Sequence, residues 1–258
     1  MGKIISIANQ KGGVGKTTTS VNLAAGMGIC GAKTLLIDID PQGNATSGIG
    51  VDRRKMETST YDVLIGNKSA QEVLVRTEFK NLWILPSNMD LAAAELELVD
   101  LKNRESRLKS AIFLIEQEFE YIFIDCPPSL GLITANAFCA SDTILVPIQC
   151  EYYALEGLSQ LMNTVRKIKR QYNNDLDIEG VLLTMYDGRL NLTQQVVSEV
   201  KRYFPKKVFS TVIPRTVRLS EAPSFGKPIM YFDQSSKGSE AYLNLAKELK
   251  ALQARVNT

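Results

Sequence analysis

The chain has 258 residues, of which 45% are hydrophobic and 22% are charged, so it can bury a substantial core and we expect a single domain over residues 1–258. No apolar run approaches the ~20 residues that span a bilayer, and the N-terminus enters a strand rather than a signal peptide, which predicts a cytosolic protein. The absence of histidine excludes histidine-based catalysis, and the four cysteines show no CxxC spacing, which argues against a zinc site.

Short apolar runs alternate with segments of helical length along the chain. The runs lack polar alternation, which is typical of parallel strands covered on both faces. They lie at residues 4–8, 34–38, 82–85, 121–125, 143–147, 180–184 and 212–214. Segments of helical length include residues 17–29, 104–118 and 155–172. The pattern predicts a doubly wound, mainly parallel α/β sheet flanked by helices, with ligands at the carboxyl ends of the strands.

A glycine-rich loop, NQKGGVGKTT, follows the first predicted strand at residues 9–18. Its glycines let the backbone turn N–H groups toward a phosphate, and the following helix adds its positive dipole end. Lys16 can reach the outer phosphates, and the hydroxyl of Thr17 can reach Mg²⁺. The predicted nucleotide-binding residues of this loop are Lys11, Gly12, Gly13, Val14, Gly15, Lys16, Thr17 and Thr18.

The loop departs from the general phosphate-loop signature, because Gln10 stands where that pattern has glycine and Lys11 follows it. Two lysines on the same phosphates would repel each other, so Lys11 must point elsewhere. We expect Lys11 to cross a dimer interface and contact the nucleotide of a partner subunit, as an arginine finger does in trans. The alternative is a solvated loop charge.

Carboxylates follow the second and fourth predicted strands. Asp38 and Asp40 share one face of a strand, so one can hold magnesium or its waters while the other orients the attacking water. The alternative is a helix cap or an Asx turn before Pro41. Asp125 ends a fully apolar run and has the Walker-B form of a magnesium-binding acid. The predicted metal site consists of Thr17, Asp40 and Asp125.

These motifs resemble the deviant Walker-A class of P-loop NTPases and, within it, the ParA/Soj family of chromosome and plasmid partition ATPases. The resemblance covers nearly the whole chain, with KGGVGKTT at 11–18, DIDPQGNAT at 38–46, FIDCPPSLG at 123–131, QCEYYALEGL at 149–158 and VIPRTVRLSEAPSFGKPI at 212–229. It implies an enzyme that binds ATP and Mg²⁺ and hydrolyses ATP to ADP and phosphate at a slow basal rate.

The resemblance also implies roles for particular residues. Lys11, Lys16 and Asp40 would be catalytic, with Asp40 positioning the hydrolytic water, and Asp125 would be the Walker-B acid. The residues matched to the family's nucleotide-facing segments are Glu151 and Glu156, along the dimer interface, and Pro214 and Arg215, near the base. For these four the alternative is a purely architectural role at a helix start or a strand end.

The family works as a switch, which the resemblance extends to this chain. Two ATP-bound subunits would form a sandwich homodimer that binds double-stranded DNA non-specifically. Hydrolysis, stimulated by a ParB/Spo0J-type centromere-binding protein, would release the DNA and drive chromosome or plasmid segregation. The expected location is the cytoplasm, on the nucleoid.

The C-terminal third of the chain is basic, with nine lysines and arginines against three acidic residues in 189–237. Such a patch suits the phosphate backbone of DNA, and no recognition-helix signature indicates base readout. The predicted DNA-binding residues are Arg189 and Arg218, followed by Lys201, Arg202, Lys206 and Lys207. The alternative for each is an ordinary solvated charge.

Three rival interpretations remain. A MinD-like membrane-associated positioning ATPase is suggested by Leu245, Leu249, Leu252 and Val256, which have helical spacing. Their apolar face is narrow, so we favour packing on the domain and expect no stable membrane association. A metabolic or reductase enzyme on the same nucleotide-binding architecture lacks an evident cysteine pair for a cluster. A passive DNA-binding module is disfavoured by Asp40 and Asp125.

Overall fold

A computed structural model of the protein describes residues 2–151 and 158–256. Within these ranges the strands are β1 (Lys3–Ile7), β2 (Thr34–Asp38), β3 (Val75–Arg76), β4 (Leu82–Leu85), β5 (Tyr121–Asp125), β6 (Thr143–Gln149) and β7 (Asp177–Thr184). They form one sheet in the order β3-β4-β2-β5-β1-β6-β7. Every neighbouring pair is parallel except β3 and β4. The mainly parallel α/β class predicted from the sequence is confirmed.

Helices cover both faces of the sheet. In the described part of the chain they are α1 (Lys16–Ile29), α2 (Asn44–Gly48), α3 (Thr60–Ile65), α4 (Ala70–Val73), α5 (Leu91–Glu97), α6 (Arg107–Ile112), α7 (Leu132–Ala140), α8 (Leu158–Gln171), α9 (Asn191–Tyr203), α10 (Val217–Glu221), α11 (Ile229–Phe232) and α12 (Lys237–Val256). Helices α3 to α9 pack on one hydrophobic cluster, and α1, α2 and α10 to α12 pack on the other.

The two clusters explain why the sequences of the strands are continuous apolar runs. Successive residues of a strand point to opposite faces, so Ile4 joins one cluster and Ile5 joins the other. Both faces are covered by helices, so neither set of positions needs to be polar. The order of the strands places β1 between β5 and β6, and the loop that follows β1 therefore opens at the centre of the sheet.

The C-terminal helix α12 packs along α1. Leu245 and Leu249 are fully buried in this contact, as is Ala246. A Cβ added to Gly26 of α1 would lie 3.2 Å from the Cβ of Ala246, which shows how closely the helices approach. Leu245 and Leu249 of the predicted apolar spacing therefore belong to the core, whereas Leu252 is 37% exposed. Within the described residues, no helix is both long and apolar enough to cross a bilayer.

Three details differ from the sequence-based elements. Residues 212–214 are not a strand, because Pro214 has no N–H to extend a ladder and forms only an isolated bridge to Tyr186. The helix predicted over 104–118 is limited to α6, with a separate 3-10 turn at Glu116–Glu118. The two-residue strand β3 was not predicted, because two residues are too short to show any periodicity.

Candidate functional site

The loop between β1 and α1 forms an open backbone cradle. Gly13 and Gly15 have φ angles of +72° and +88°, in the left-handed region that favours glycine. A Cβ placed on Gly12 or Gly13 would meet no atom within 4 Å, so the space over the loop is free for a ligand. Thr184 Oγ1 donates to the carbonyl of Val14 at 2.8 Å, which ties the loop to the end of β7. The cradle fits an anion.

The Lys16 side chain is buried in this loop with only 7% of its surface exposed. Its Nζ donates to the carbonyl of Lys11 at 3.2 Å, and in the described part of the chain it forms no ion pair. Burial lowers the pKa of Lys16, while the carboxylates of Asp125 and Asp40 oppose that shift. A buried ammonium group without a contacting counter-ion suits the charged oxygens of a phosphate chain.

Asp125 and Thr17 meet at the base of the cradle. Thr17 Oγ1 donates to Asp125 Oδ2 at 2.8 Å, and Ser20 Oγ donates to Asp125 Oδ1 at 2.7 Å. Burial, reinforced by the nearby Asp38 carboxylate, raises the pKa of Asp125 to about 8. A hydroxyl and a carboxylate in contact are the oxygen donors that Mg²⁺ prefers, so this pair fits a magnesium ion.

Asp38 has an architectural position. It is the last residue of β2, lies opposite Asp125 in the register with β5, and is fully buried. Its Oδ2 accepts from the N–H and the hydroxyl of Thr46 at 2.8 and 2.7 Å, and its Oδ1 accepts from the N–H of Asp40 at 3.1 Å. Burial raises the pKa of Asp38 to about 6. These bonds hold the start of the turn that carries Asp40.

Asp40 lies beyond the end of β2, with 8% of its surface exposed. Its Oδ1 accepts from the N–H of Gln42 at 2.9 Å, and in the described residues no protein donor contacts Oδ2. The expectation that Asp38 and Asp40 share a face of one strand is wrong, because the strand ends at Asp38. The turn instead gives the two carboxylates separate environments.

Three residues at the site were not predicted from the sequence. Ser87 Oγ donates to the Asp40 carbonyl at 2.8 Å, the N–H of Ser87 donates to Thr46 Oγ1 at 2.9 Å, and Ser20 contacts Asp125 as described above. Ser87 follows β4 at the carboxyl edge of the sheet. The expectation that ligands bind at the carboxyl ends of the strands, which located Asp125, applies to this position as well. A lone serine there gives no chemical signal of its own.

Lys11 points away from the cradle. Its Nζ lies 3.7 Å from Glu151 Oε2, and Arg215 Nη2 lies 3.4 Å from Glu151 Oε1, so one carboxylate bridges two cations. All three side chains are at least one-third exposed. Lys11 and Lys16 therefore occupy different places, and the contact of Lys11 with a partner's nucleotide stays a prediction. Glu156 lies outside the described residues.

A cavity of about 320 Å³ opens beside the phosphate loop. Its lining includes Gly15 and Thr18 on the loop side and Met185, Pro214 and Arg215 on the other. The predicted base-binding residues thus lie next to the cradle. A cavity of about 730 Å³ lies beyond the Asp40 turn and contains no phosphate-loop residue, and one of about 400 Å³ contains Thr17 and Thr18 but neither Pro214 nor Arg215.

Most of the predicted DNA-binding cations are paired with carboxylates of the same chain. Arg189 bonds to Asp187 at 2.6 Å, and its side chain is 89% exposed. The other pairs are Arg218 with Glu221 and Asp233, Arg202 with Glu199, and Lys207 with Asp177. Lys201 and Lys206 form no ion pair in the described part of the chain. All six residues remain predictions as DNA contacts.

The fold and the site together define a P-loop NTPase whose phosphate loop carries a second lysine. Residues 2–178 match the family model described as an AAA domain. The chain is 58% identical to the sporulation initiation inhibitor protein Soj of Bacillus subtilis (strain 168), covering 97% of this chain and 99% of that protein. It is 54% identical to the chromosome partitioning protein ParA of Myxococcus xanthus (strain DK1622), covering 96% and 88%.

A solved structure extends the similarity. Cobyrinic acid a,c-diamide synthase from Mycobacterium smegmatis with bound ATP analog and magnesium superposes with a TM-score of 0.86 at 36% identity, covering 96% of this chain and 93% of that one. The chain belongs to the AAA-domain family and, within it, to the ParA/Soj partition ATPases. The family resemblance inferred from the motifs is confirmed.

Proposed function

We propose that this protein is an ATP-dependent DNA-partition switch. The observation that carries the proposal is the convergence of Lys16, Thr17, Asp125 and Asp40 on one open backbone cradle, with Lys11 held outside it. The cradle and Lys16 bind the phosphates of ATP, and the adjacent cavity of about 320 Å³ receives the base. The names of the Soj and ParA relatives support partition as the process served.

Magnesium fits the pair formed by Thr17 and Asp125, and when bound it neutralises charge on the phosphate oxygens. Asp125 would hold the ion as a carboxylate, with its proton released to solvent. Ser20 continues to hold Asp125 Oδ1, so the orientation of the carboxylate is fixed by the protein.

Asp40 orients the attacking water. One of its carboxylate oxygens is engaged by the N–H of Gln42, and the other is available to a water molecule at the open side of the cradle. The carbonyl of Asp40 is fixed by Ser87 and by the N–H of Gly43, so the side chain starts from a held backbone. A positioned water and a trans cation contribute roughly 10³ to 10⁵ in rate when fully assembled, so an incomplete site is slow.

Lys11 couples ATP to dimerisation. Its contact with Glu151 is solvent-exposed, and exposed ion pairs contribute at most about 1 kcal/mol. A contact with phosphate oxygens across a closed interface is charge-assisted and stronger, so two ATP-bound subunits exchange their lysines and form a sandwich. Hydrolysis removes the γ-phosphate and with it the differential contact, and the equilibrium returns to monomers.

DNA binding follows the dimer, because pairing two subunits doubles the number of phosphate contacts and steepens the salt dependence. A ParB/Spo0J-type partner completes the slow site and stimulates hydrolysis, which releases the DNA. The protein then acts in the cytoplasm on the nucleoid.

Asp40→Ala tests the proposal. Because Asp40 belongs to the turn after β2 and not to the phosphate loop itself, we expect this variant to bind ATP, remain dimeric in analytical ultracentrifugation and stay on DNA, while turnover falls by at least about 100-fold. Wild-type protein with ADP provides the monomeric, DNA-free control. Rapid turnover by Asp40→Ala would remove Asp40 from the mechanism, and a monomeric ATP-saturated variant would refute the switch.

A further inference from the structure

Helix α8 carries a basic face that the sequence motifs did not identify. The helix contains four basic residues and no acidic one. Its buried positions are Leu158, Leu161, Val165 and Ile168. The cations Arg166, Lys167 and Arg170 are exposed and follow the spacing of one helical face, with Asn163 one turn before them. We call Arg166, Lys167 and Arg170 the α8 basic face.

The charges of this face are not neutralised within the protein. Among residues 2–151 and 158–256, Lys167 and Arg170 form no ion pair, and Arg166 donates only to the amide oxygen of Asn163 at 3.1 Å. By contrast, Arg189 is held by both oxygens of Asp187. A paired arginine must leave its carboxylate before it can contact a phosphate, whereas an unpaired cation exchanges only water and counter-ions.

The α8 basic face continues into the end of α9. Arg166 lines a shallow cavity of about 190 Å³ together with Tyr203 and Phe204. The guanidinium of Arg202 lies 5.9 Å from the ring centre of Tyr203, and Lys206 follows shortly after in the chain. Arg166 of α8 and Arg202 near the end of α9 therefore both lie beside Tyr203.

The dimensions and chemistry of this surface fit nucleic acid. Arg166 and Arg170 are four residues apart, or about 6 Å along the helix axis. Successive phosphates of one duplex strand rise along the axis and also turn about it, so neighbouring phosphates are separated by a similar distance and the two arginines can contact successive phosphates. A membrane-binding helix would need an apolar face, but the apolar residues of α8 are buried in the core.

We propose that the α8 basic face is an interaction surface for the phosphate backbone of double-stranded DNA. The proposal rests on the proposed function, since the ATP-bound dimer is the DNA-binding form. The α8 basic face adds three unpaired cations per subunit to the predicted DNA-binding residues Lys201, Arg202 and Lys206. Each subunit of the dimer contributes the same face, so six cations change together when the helix is altered.

The test is the charge reversal Arg166→Glu, Lys167→Glu and Arg170→Glu in one variant. DNA retention is measured with a slowly hydrolysed ATP analogue across a salt series. We expect at least a tenfold loss of affinity, and a salt slope shallower by roughly 2 to 5, because each lost phosphate contact contributes about 0.9. A second variant, with glutamine at the same three positions, removes the charges with less perturbation and should show a smaller loss in the same direction.

The matched control is Lys80→Glu, Lys102→Glu and Lys109→Glu, which makes the same change of charge at exposed positions elsewhere. This control should keep both affinity and slope near wild type. Dimerisation with the analogue is followed by ultracentrifugation, and we expect it to be unchanged in all variants. If the control and α8 variants lose DNA affinity equally, the loss reflects net charge alone, and the proposal is overturned.

The outcomes separate this proposal from the proposed function. If wild-type protein with the analogue does not retain DNA, the proposed switch fails. If wild type and control retain DNA and both α8 variants match them, the α8 basic face is not a DNA surface. Binding to vesicles of phosphatidylglycerol is measured as well. If the α8 variants lose vesicle binding but keep DNA retention, the face binds anionic lipid and the proposal is overturned.

Discussion

At the scale of single residues, the geometry around Asp40 depends on side chains without chemical function of their own. Ser87 and Thr46 form a chain of buried hydrogen bonds that links Asp38 to the Asp40 carbonyl. Buried polar groups need partners, so each of these bonds is strongly required by the fold. The residue Asp40 is therefore positioned from the end of the neighbouring strand as well as by its own turn.

Ser87→Ala should lower turnover while leaving ATP binding intact. The substitution removes the hydroxyl that holds the Asp40 carbonyl, whose other donor is the N–H of Gly43. We expect kcat to fall about three- to tenfold with little change in KM, and the free energy of unfolding to fall by about 1 kcal/mol. Steady-state kinetics and urea denaturation measure the two effects.

The matched control for this prediction is Ser198→Ala. Ser198 is exposed on α9, and its hydroxyl donates to the carbonyl of Gln194 at 3.0 Å. Both turnover and stability should stay at the wild-type values. A Ser87→Ala enzyme with reduced stability and unchanged kcat would limit Ser87 to an architectural role.

At the scale of elements, the register of β2 with β5 brings two acids side by side. Asp38 and Asp125 are paired positions at the ends of these strands, and both are fully buried. Desolvation raises the pKa of both carboxyls, the Asp38 charge raises that of Asp125 further, and the Asp40 charge raises that of Asp38 further. Burial therefore favours the protonated form of Asp125, and binding of a cation would favour its carboxylate.

This pair predicts that the nucleotide-free protein loses stability as pH rises. Asp125 has a pKa of about 8 in the folded chain, above the usual value of 3.8, so between these values the folded state binds more protons than the unfolded state. The free energy of unfolding should fall as pH rises from about 4 to 8. Asp125→Asn should flatten this profile and stabilise the magnesium-free protein at pH 8 by more than about 1 kcal/mol.

Urea denaturation without magnesium, at pH values from 5 to 8.5, measures the profile. Asp175→Asn, at an exposed position, is the control and should keep the wild-type pH dependence. If stability changes with pH equally in wild type and Asp125→Asn, Asp125 is ionised in the folded, magnesium-free protein. Magnesium and ATP should stabilise the wild type and not Asp125→Asn, which ties the pH effect to the metal position.

The elements also show how far sequence predicts this fold and site. Continuous apolar runs located most of the strands, and the carboxyl-end rule located the phosphate loop, Asp40 and Asp125 because glycine, lysine and aspartate carry recognisable chemistry there. Ser87 was not predictable, since its role depends on the lateral order of β4 and β2, which no local pattern encodes. The ion pairs of the basic patch are likewise invisible in composition, because they depend on side-chain contacts such as Arg189 with Asp187.

At the scale of the whole molecule, the two lysines of the phosphate loop point in different directions. Lys16 is buried in the cradle of its own chain, whereas Lys11 is partly exposed and contacts Glu151. The α8 basic face lies on a helix that follows Glu151 in the chain. The surfaces proposed for nucleotide binding, dimerisation and DNA binding are therefore distinct, and variants should separate them.

Two lysine variants of the same loop should lose different steps. Lys16→Ala removes the buried cation of the cradle, so we expect ATP binding to weaken at least about 100-fold. Lys11→Ala leaves the cradle intact, so a single subunit should bind ATP within about threefold of wild type but fail to dimerise. Fluorescent ATP titration measures the first property and ultracentrifugation at saturating nucleotide the second. A Lys11→Ala protein that dimerises with ATP and hydrolyses it at the wild-type rate would show that Lys11 is a solvated loop charge, because the proposed trans contact requires its ammonium group.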